Sequence, residues 1–281
     1  MTKLDYSKLG SSLNTQWNDV SWMSHAFDPY NNEISGRSAT KFTVTYATGI
    51  TMKFTGTNLK YDNNDDHIPH AGSITSVKVI IAGETAISLS DFKVDVSTIR
   101  PLYENVMLGN YSAITQLLLK GDDVIRGAQG NDYIKGFGGD DKIFGNAGQD
   151  ELYGAKGDDT INGGLNNDTL SGGQGKDHFV FSTALGSNNK DTIVDFSAVN
   201  DTIDLDNAIF TTLGASGHTL AQSAFTVWGA GDKLDASDRI LYVKSTGDLY
   251  YDPDGSGVMG ATKFAHIEGS PTLTHSDFYI V

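Results

Sequence analysis

Seven aspartates fall at intervals of nine residues, at Asp123, Asp132, Asp141, Asp150, Asp159, Asp168 and Asp177. Carboxylates so spaced among glycines either hold cations between stacked turns or merely make solvated turns between the strands of an ordinary solenoid, and the regularity of the pattern favours cations. Glycine recurs at Gly127, Gly136, Gly145, Gly154, Gly163 and Gly172, and again at Gly130, Gly139, Gly148 and Gly157. Glycine permits positive φ, so these turns can aim backbone carbonyl oxygens inward beside the carboxylates. Such a donor set is all oxygen. Six to eight hard oxygens at about 2.3 to 2.6 Å suit Ca²⁺, whereas Mg²⁺ resists full dehydration and zinc favours nitrogen or sulfur.

The elements that must position these groups are short. Two residues after each aspartate comes a large apolar side chain, Ile125, Ile134, Ile143, Leu152, Ile161, Leu170 or Phe179. Each unit therefore divides into a polar, glycine-rich turn and a three-residue strand such as Tyr133-Ile134-Lys135. With a strand on each side, two units close one coil, and coils stack at the ordinary strand spacing of about 4.8 Å. A residue then lies beside the one two repeats further on. That pairs Asp123 with Asp141, Asp132 with Asp150, Asp141 with Asp159, Asp150 with Asp168, and Asp159 with Asp177. Like charges in such ladders repel unless cations lie between them, and the expectation is about five ions in two files. A three-residue strand cannot nucleate alone, so metal binding and folding become one event.

Self-similarity at a fixed short period marks a stacked solenoid. The pattern G-G-x-G-x-D-x-U-x over residues 121–180 strongly resembles the calcium-binding repeats of RTX proteins. The resemblance implies a parallel β-roll loaded with Ca²⁺. Departures occur where Ala128, Phe137, Asn146 and Ala155 replace the second glycine, and where Asn166 replaces the fourth-position glycine. Asn tolerates the left-handed region, so its turn is weakened rather than lost. Beyond the array, short apolar runs at 178–185, 191–196, 201–210, 239–257, 262–269 and 275–281 resemble the C-terminal domain of serralysin-type RTX proteins. That domain closes the roll and carries an uncleaved type I secretion signal, matched here by Asp277-Phe278-Tyr279-Ile280-Val281. Ser245-Thr246-Gly247 reads as a hairpin turn. Asp252 and Asp254 look like the opening of an EF-hand loop, but Lys263 stands where a bidentate glutamate is needed, so a plain turn is the better reading. Asp195, Asp201, Asp204 and Asp206 are candidates for capping the roll or binding a further ion.

Composition narrows the partners. The chain has 281 residues and a net charge of −15, with 24 acidic side chains lying beyond residue 120 against 10 basic ones. That acidity disfavours nucleic acid and anionic membrane. Zero cysteines exclude disulfides and thiolate metal sites. No apolar run has the roughly 18 residues of a membrane span. The polar start MTKLDYSKLG lacks the profile of a cleaved secretory signal. The expectation is a secreted protein, free or associated with a cell surface, that uses type I secretion machinery.

Residues 1–120 contain no repeat. Lys41–Tyr46, Ile50–Phe54, Ile74–Ile81 and Ala86–Val96 alternate as strands do, and Tyr103–Leu119 reads as short helices plugging the first coil. The fold class is thus all-β. A small β-sandwich-like domain (1–101) and a helical cap (102–120) precede a parallel β-roll (121–180), and a β cap with the secretion signal (181–281) follows. No HExxH helix surrounds His67 and His70, and no G-x-S-x-G elbow exists, Ser216 being the nearest serine. The chain is therefore read as a binding protein rather than an enzyme. Trp17, Trp22, Tyr30, Tyr46 and Tyr61 are candidates for a polysaccharide or cell-surface ligand, although core packing is the commoner fate of aromatics. The alternatives are a haem or metal scavenger using His67 or His70 with Tyr61 or Tyr46, and a hydrolase or lyase using Asp62, Asp65 and Asp66, for which no spacing argues.

Overall fold

A computed structural model describes residues 3–5, 32–38, 41–46, 51–60, 71–81, 84–95, 121–127, 129–229, 234–255 and 260–281. Within them the chain is all-β, with single turns of 3-10 helix and no α-helix. The first strands are β1 (Lys3–Asp5), β2 (Asn32–Ser38), β3 (Lys41–Tyr46), β4 (Thr51–Lys60), β5 (Ala71–Ile81) and β6 (Glu84–Asp95). β2 to β6 form an antiparallel meander, each strand bonded to the next. Alternation sets their faces: Phe54 is buried while Lys53 and Thr55 beside it are exposed. Four of these strands match the alternating segments of the sequence, β3 with the same bounds and β4 six residues longer at its end. Residues 103–119, where short helices are expected, lie outside the described residues, and among the described residues β2 to β6 form a single layer.

The repeat supplies β7 (Val124–Arg126), β8 (Tyr133–Lys135), β9 (Lys142–Phe144), β10 (Glu151–Lys156), β11 (Thr160–Asn162) and β12 (Thr169–Gln174). β7, β9 and β11 pair in parallel on one side, and β8, β10 and β12 on the other. The register matches the eighteen-residue coil, with Ile125 beside Ile143 and Ile134 beside Leu152. The central residue of each strand points inward, and Ile125, Ile143, Leu152, Ile161 and Leu170 are wholly buried. Burying such a side chain stabilises the fold by about 1.5 to 3 kcal/mol, which makes the stacked apolar column the main favourable term in so thin a structure.

The coil does not stop where the nine-residue beat stops. The remaining strands are β13 (His178–Phe181), β14 (Asp191–Ile193), β15 (Thr202–Leu205), β16 (His218–Thr219), β17 (Phe225–Val227), β18 (Ile240–Val243), β19 (Asp248–Tyr251), β20 (Thr262–Ile267) and β21 (Phe278–Ile280). β13, β15 and β21 extend one sheet in parallel, and β14 and β20 extend the other. The expected hairpin around Ser245-Thr246-Gly247 joins β18 to β19, with Gly247 at φ 78°. An aromatic cluster fills this end: the Phe264 ring lies 5.2 Å edge-on from both Phe181 and Phe210. At the opposite end β1 adds a parallel strand against β7 and bonds antiparallel to β6. This joins the meander and one face of the roll into a thirteen-stranded sheet, opposed by one of eight strands.

Candidate metal centre

Each repeat aspartate occupies the last position of a turn, just before a strand, so the parallel register brings it beside its counterpart one coil away. Turns leading from the thirteen-stranded to the eight-stranded sheet carry Asp132, Asp150 and Asp168, the returning turns carry Asp141, Asp159 and Asp177, and Asp123 stands in the same column just before β7. All are at most 5% exposed. The five expected pairs are hydrogen-bonded. The backbone N–H of Asp123 donates to Asp141 Oδ1, Asp132 to Asp150 and Asp141 to Asp159, each at 2.8 Å. Asp150 donates to Asp168 at 2.9 Å and Asp159 to Asp177 at 3.0 Å. Both ladders continue past the repeat, because Asp168 donates to Asp191 Oδ1 and Asp177 to Asp201 Oδ1.

Oδ1 is therefore committed to the backbone, and the other oxygen is not. Oδ2 of Asp141, Asp150, Asp159, Asp168 and Asp177 is buried without a hydrogen-bond partner. A buried, unsatisfied carboxylate oxygen is costly unless something positive meets it. Each Oδ2 lies against the α-carbon of the glycine five residues earlier. A methyl group on Gly127 would meet Asp132 Oδ2 at 2.5 Å and the carbonyl oxygen of Gly145, in the next coil, at 2.6 Å. The first glycine of each repeat is thus bare because a carboxylate oxygen crowds it, joined at Gly127, Gly136 and Gly145 by a carbonyl oxygen of the next coil.

The positive φ angles anticipated for the turns fall elsewhere, at the second and fourth positions. Gly139, Gly148 and Gly157 have φ of 114°, 129° and 122°. The replacements of the second glycine take the same conformation, Phe137 at 74°, Asn146 at 73° and Ala155 at 85°, and Asn166 does so at the fourth position with 81°. These four departures leave their turns intact, with backbone strain of about 1 to 2 kcal/mol each at Phe137 and Ala155, and Ala128 lies outside the described residues. Asn146 offsets its share by donating its side-chain amide to the Gly127 carbonyl at 2.6 Å.

Burial drives the ladder carboxylates toward the neutral form. It pushes Asp141 and Asp150 up to about 8, Asp159 to about 7, and Asp168 and Asp177 to about 6, each opposed by the backbone N–H its Oδ1 accepts. Asp191 rises to about 8 for the same first reason. Neighbouring carboxylates add to the rise at Asp141, through Asp159, Asp123 and Asp122, and at Asp159, through Asp177, Asp140 and Asp158. A closed ladder at neutral pH needs protons or cations. Among the described residues no three His, Cys, Asp or Glu side chains converge on one point. The stacking explains this: it delivers carboxylates pairwise, and backbone carbonyls must complete any shell. Buried acceptor oxygens of this kind, with no nitrogen or sulfur, fit a hard divalent cation such as Ca²⁺.

The other candidates separate. Asp195 meets the first glycines of the last repeat: Oδ1 accepts from Gly172 N–H and Oδ2 from Gly173 N–H, both at 3.0 Å, while the Ser171 hydroxyl donates to Oδ2 at 2.6 Å. Earlier in the roll that first-glycine N–H bonds a backbone carbonyl, as Gly127 does to Phe144. Asp201 accepts from Asp177 and Ser197, and Asp206 from the N–H of Ala208. Asp204 Oδ2 lies 2.9 Å from His178 Nδ1. Asp252 Oδ1 accepts from the N–H groups of Asp254 and Gly255, the geometry of an ordinary Asx turn. Sequence reasoning passed over Asp191, which follows a longer loop, and the residue before each ladder aspartate. Trp17, Trp22, Tyr30, Tyr61, His67, His70, Asp62, Asp65 and Asp66 lie outside the described residues, and Tyr46 is placed only by its backbone at the end of β3.

Residues 120–152 and 144–179 match the family of the RTX calcium-binding nonapeptide repeat (4 copies). No curated protein matches the chain. Similar solved structures include two subunits of the Azotobacter vinelandii mannuronan C5-epimerase. One is 25% identical, covers 57% of this chain and 78% of its own, and has a TM-score of 0.32; the other is 23% identical, with 55% and 90% covered and a TM-score of 0.34. The period, the two aspartate ladders and the family match agree on the same stretch, and residues 120–179 are an array of RTX calcium-binding nonapeptide repeats.

Proposed function

We propose that this is a secreted protein whose β-roll closes on Ca²⁺ outside the cell, with the amino-terminal strands carrying a binding surface for a polysaccharide or cell-surface ligand. The observation that carries the calcium-dependent step is the line of buried Oδ2 atoms without partners, from Asp141 to Asp177. About five ions would lie in two files between successive turns. Asp123, Asp132, Asp141, Asp150, Asp159, Asp168 and Asp177 would supply carboxylates. Gly127, Gly130, Gly136, Gly139, Gly145, Gly148, Gly154, Gly157, Gly163 and Gly172 would shape the turns and contribute carbonyls. Bound Ca²⁺ supplies the positive charge that lets these aspartates ionise while buried.

Calcium is scarce inside cells, so the same chain stays open and threadable there, which suits export through type I machinery. Phe278 and Ile280 are wholly buried in β21 between β15 and β16, while Tyr279 and Val281 stay exposed, so the apolar face of the segment that resembles a secretion signal is free only before folding. Far-ultraviolet circular dichroism of the full chain at neutral pH tests the calcium step. Chelation should remove a large part of the strand signal and excess Ca²⁺ should restore it; identical spectra would sink the reading. Loss of glycan or cell binding in Trp22→Ala would support the ligand assignment, and no binding by the parent chain to any glycan or cell would remove it.

A further inference from the structure

The two columns of turns differ at the residue just before each ladder aspartate. On the column returning to the thirteen-stranded sheet that residue is Asp122, Asp140 or Asp158, followed by Lys176; on the opposite column it is Asn131, Gln149 or Asn167. All six acidic or amide side chains are exposed, and those of both kinds perform one structural task. Asp122 Oδ1 accepts the N–H of Asp140 at 2.9 Å, and Asp140 Oδ1 that of Asp158 at 2.8 Å. Asn131 Oδ1 accepts the N–H of Gln149 at 2.9 Å, and Asn167 Oδ1 that of Lys190 at 2.9 Å. An amide oxygen therefore suffices for the turn, and the negative charge of Asp122, Asp140 and Asp158 is not needed to hold the coils in register. These charges adjoin, in sequence, ladder aspartates that include Asp141 and Asp159, whose buried Oδ2 atoms lack partners. One line of converging oxygens thus runs beside a row of carboxylates, and the other beside a row of neutral amides.

We infer that the two ion files are unequal: the file lined by Asp141, Asp159 and Asp177 and flanked by Asp122, Asp140 and Asp158 binds Ca²⁺ more tightly and fills first. The amide-flanked file, along Asp150 and Asp168, fills last and sets the calcium level at which the roll is complete. The inference rests on the calcium reading above. The flanking carboxylates attract the ion through partly exposed surroundings, so the two affinities should differ by about tenfold at low ionic strength and converge as salt screens them.

Isothermal titration of the full chain with Ca²⁺, in low and high potassium chloride, tests it. The parent should show two classes of site about tenfold apart at low salt, narrowing at high salt. Asp140→Asn with Asp158→Asn keeps the turn hydrogen bonds, as Asn131 shows in the other column, and should merge the classes at the weaker affinity. Asn131→Asp with Asn167→Asp should instead raise the weaker class. A single class in the parent, or two classes unchanged in the Asp140→Asn, Asp158→Asn variant, overturns the inequality of the files while leaving calcium binding in place. No heat of Ca²⁺ binding in the parent overturns the calcium reading itself.

Discussion

Asp159 in the repeat and Asp238 in the segment that follows are both removed from water, at 0% and 6% exposure, yet their oxygens fare differently. Asp238 accepts the Thr226 hydroxyl on Oδ1 and the Asp235 N–H on Oδ2. Asp159 accepts one N–H on Oδ1 and leaves Oδ2 idle. The contrast extends to their neighbours. Asp201 engages both oxygens, and Asp277 closes a capping box with Thr274, whereas Asp141, Asp150, Asp168 and Asp177 repeat the half-satisfied state. A carboxylate satisfied by its own chain stabilises unconditionally. One satisfied only in half makes the stability of its coil depend on what the solvent supplies, and stacking five such groups concentrates that dependence in residues 121–177.

Removing calcium should break the comparison open with the largest effect. On chelation at neutral pH, hydrogen exchange should lose protection across β7 to β12, by far more than across the β18–β19 hairpin; equal loss in both would erase the distinction. Next in size is core truncation. Phe264→Ala removes a ring that packs on Phe181 and Phe210 and should lower stability by about 3 to 5 kcal/mol in calcium-loaded protein, as read by denaturant unfolding. Ile161→Ala in the roll should cost about 2 to 5 kcal/mol and, unlike Phe264→Ala, should appear mainly as a higher calcium midpoint.

The pH response sharpens the same contrast. The ladder carboxylates titrate at about 6 to 8 in the closed, ion-free roll and at 3.8 when unfolded. Folded pKa values above the unfolded value mean that the closed roll holds more protons. Its stability without calcium is therefore fully present below pH about 4 and is lost as pH rises toward about 8. In chelator, strand signal should be greater at pH 5 than at pH 8, while calcium affinity should run the opposite way as protons leave the ladder. Strand signal in chelator that is flat across this window would contradict the burial of these groups. The smallest effect concerns strain: Ala155→Gly, at φ 85°, should stabilise calcium-loaded protein by about 1 kcal/mol, seen as a small rise in Tm.

The nine-residue beat made much of the roll legible before any coordinates. Ile125, Ile143 and Ile161 had to share a column once two repeats were taken as one coil, and the five aspartate pairs followed from the same spacing. The beat says nothing of which oxygen of Asp141 faces a backbone N–H, since that depends on the side-chain orientation the turn imposes. Nor does it extend to Asp191 and Asp201, which join the ladders after intervals of 23 and 24 residues, because a looser loop leaves strand pairing possible while erasing the period.

What the amino-acid order determined unaided is local and periodic: strand centres, turn glycines, an all-oxygen donor set and the identity of the cation it suits. Those properties depend on neighbours within one coil, where spacing and position are the same information. Tertiary structure alone decided that β1 edges the first coil, that β21 lies inside a sheet rather than at its margin, and that Asp195 bonds the first glycine of the last repeat in place of a backbone carbonyl. Each joins segments separated by long or irregular stretches of chain, and pairing across such distances is selected by the packing of the whole core rather than by any local pattern.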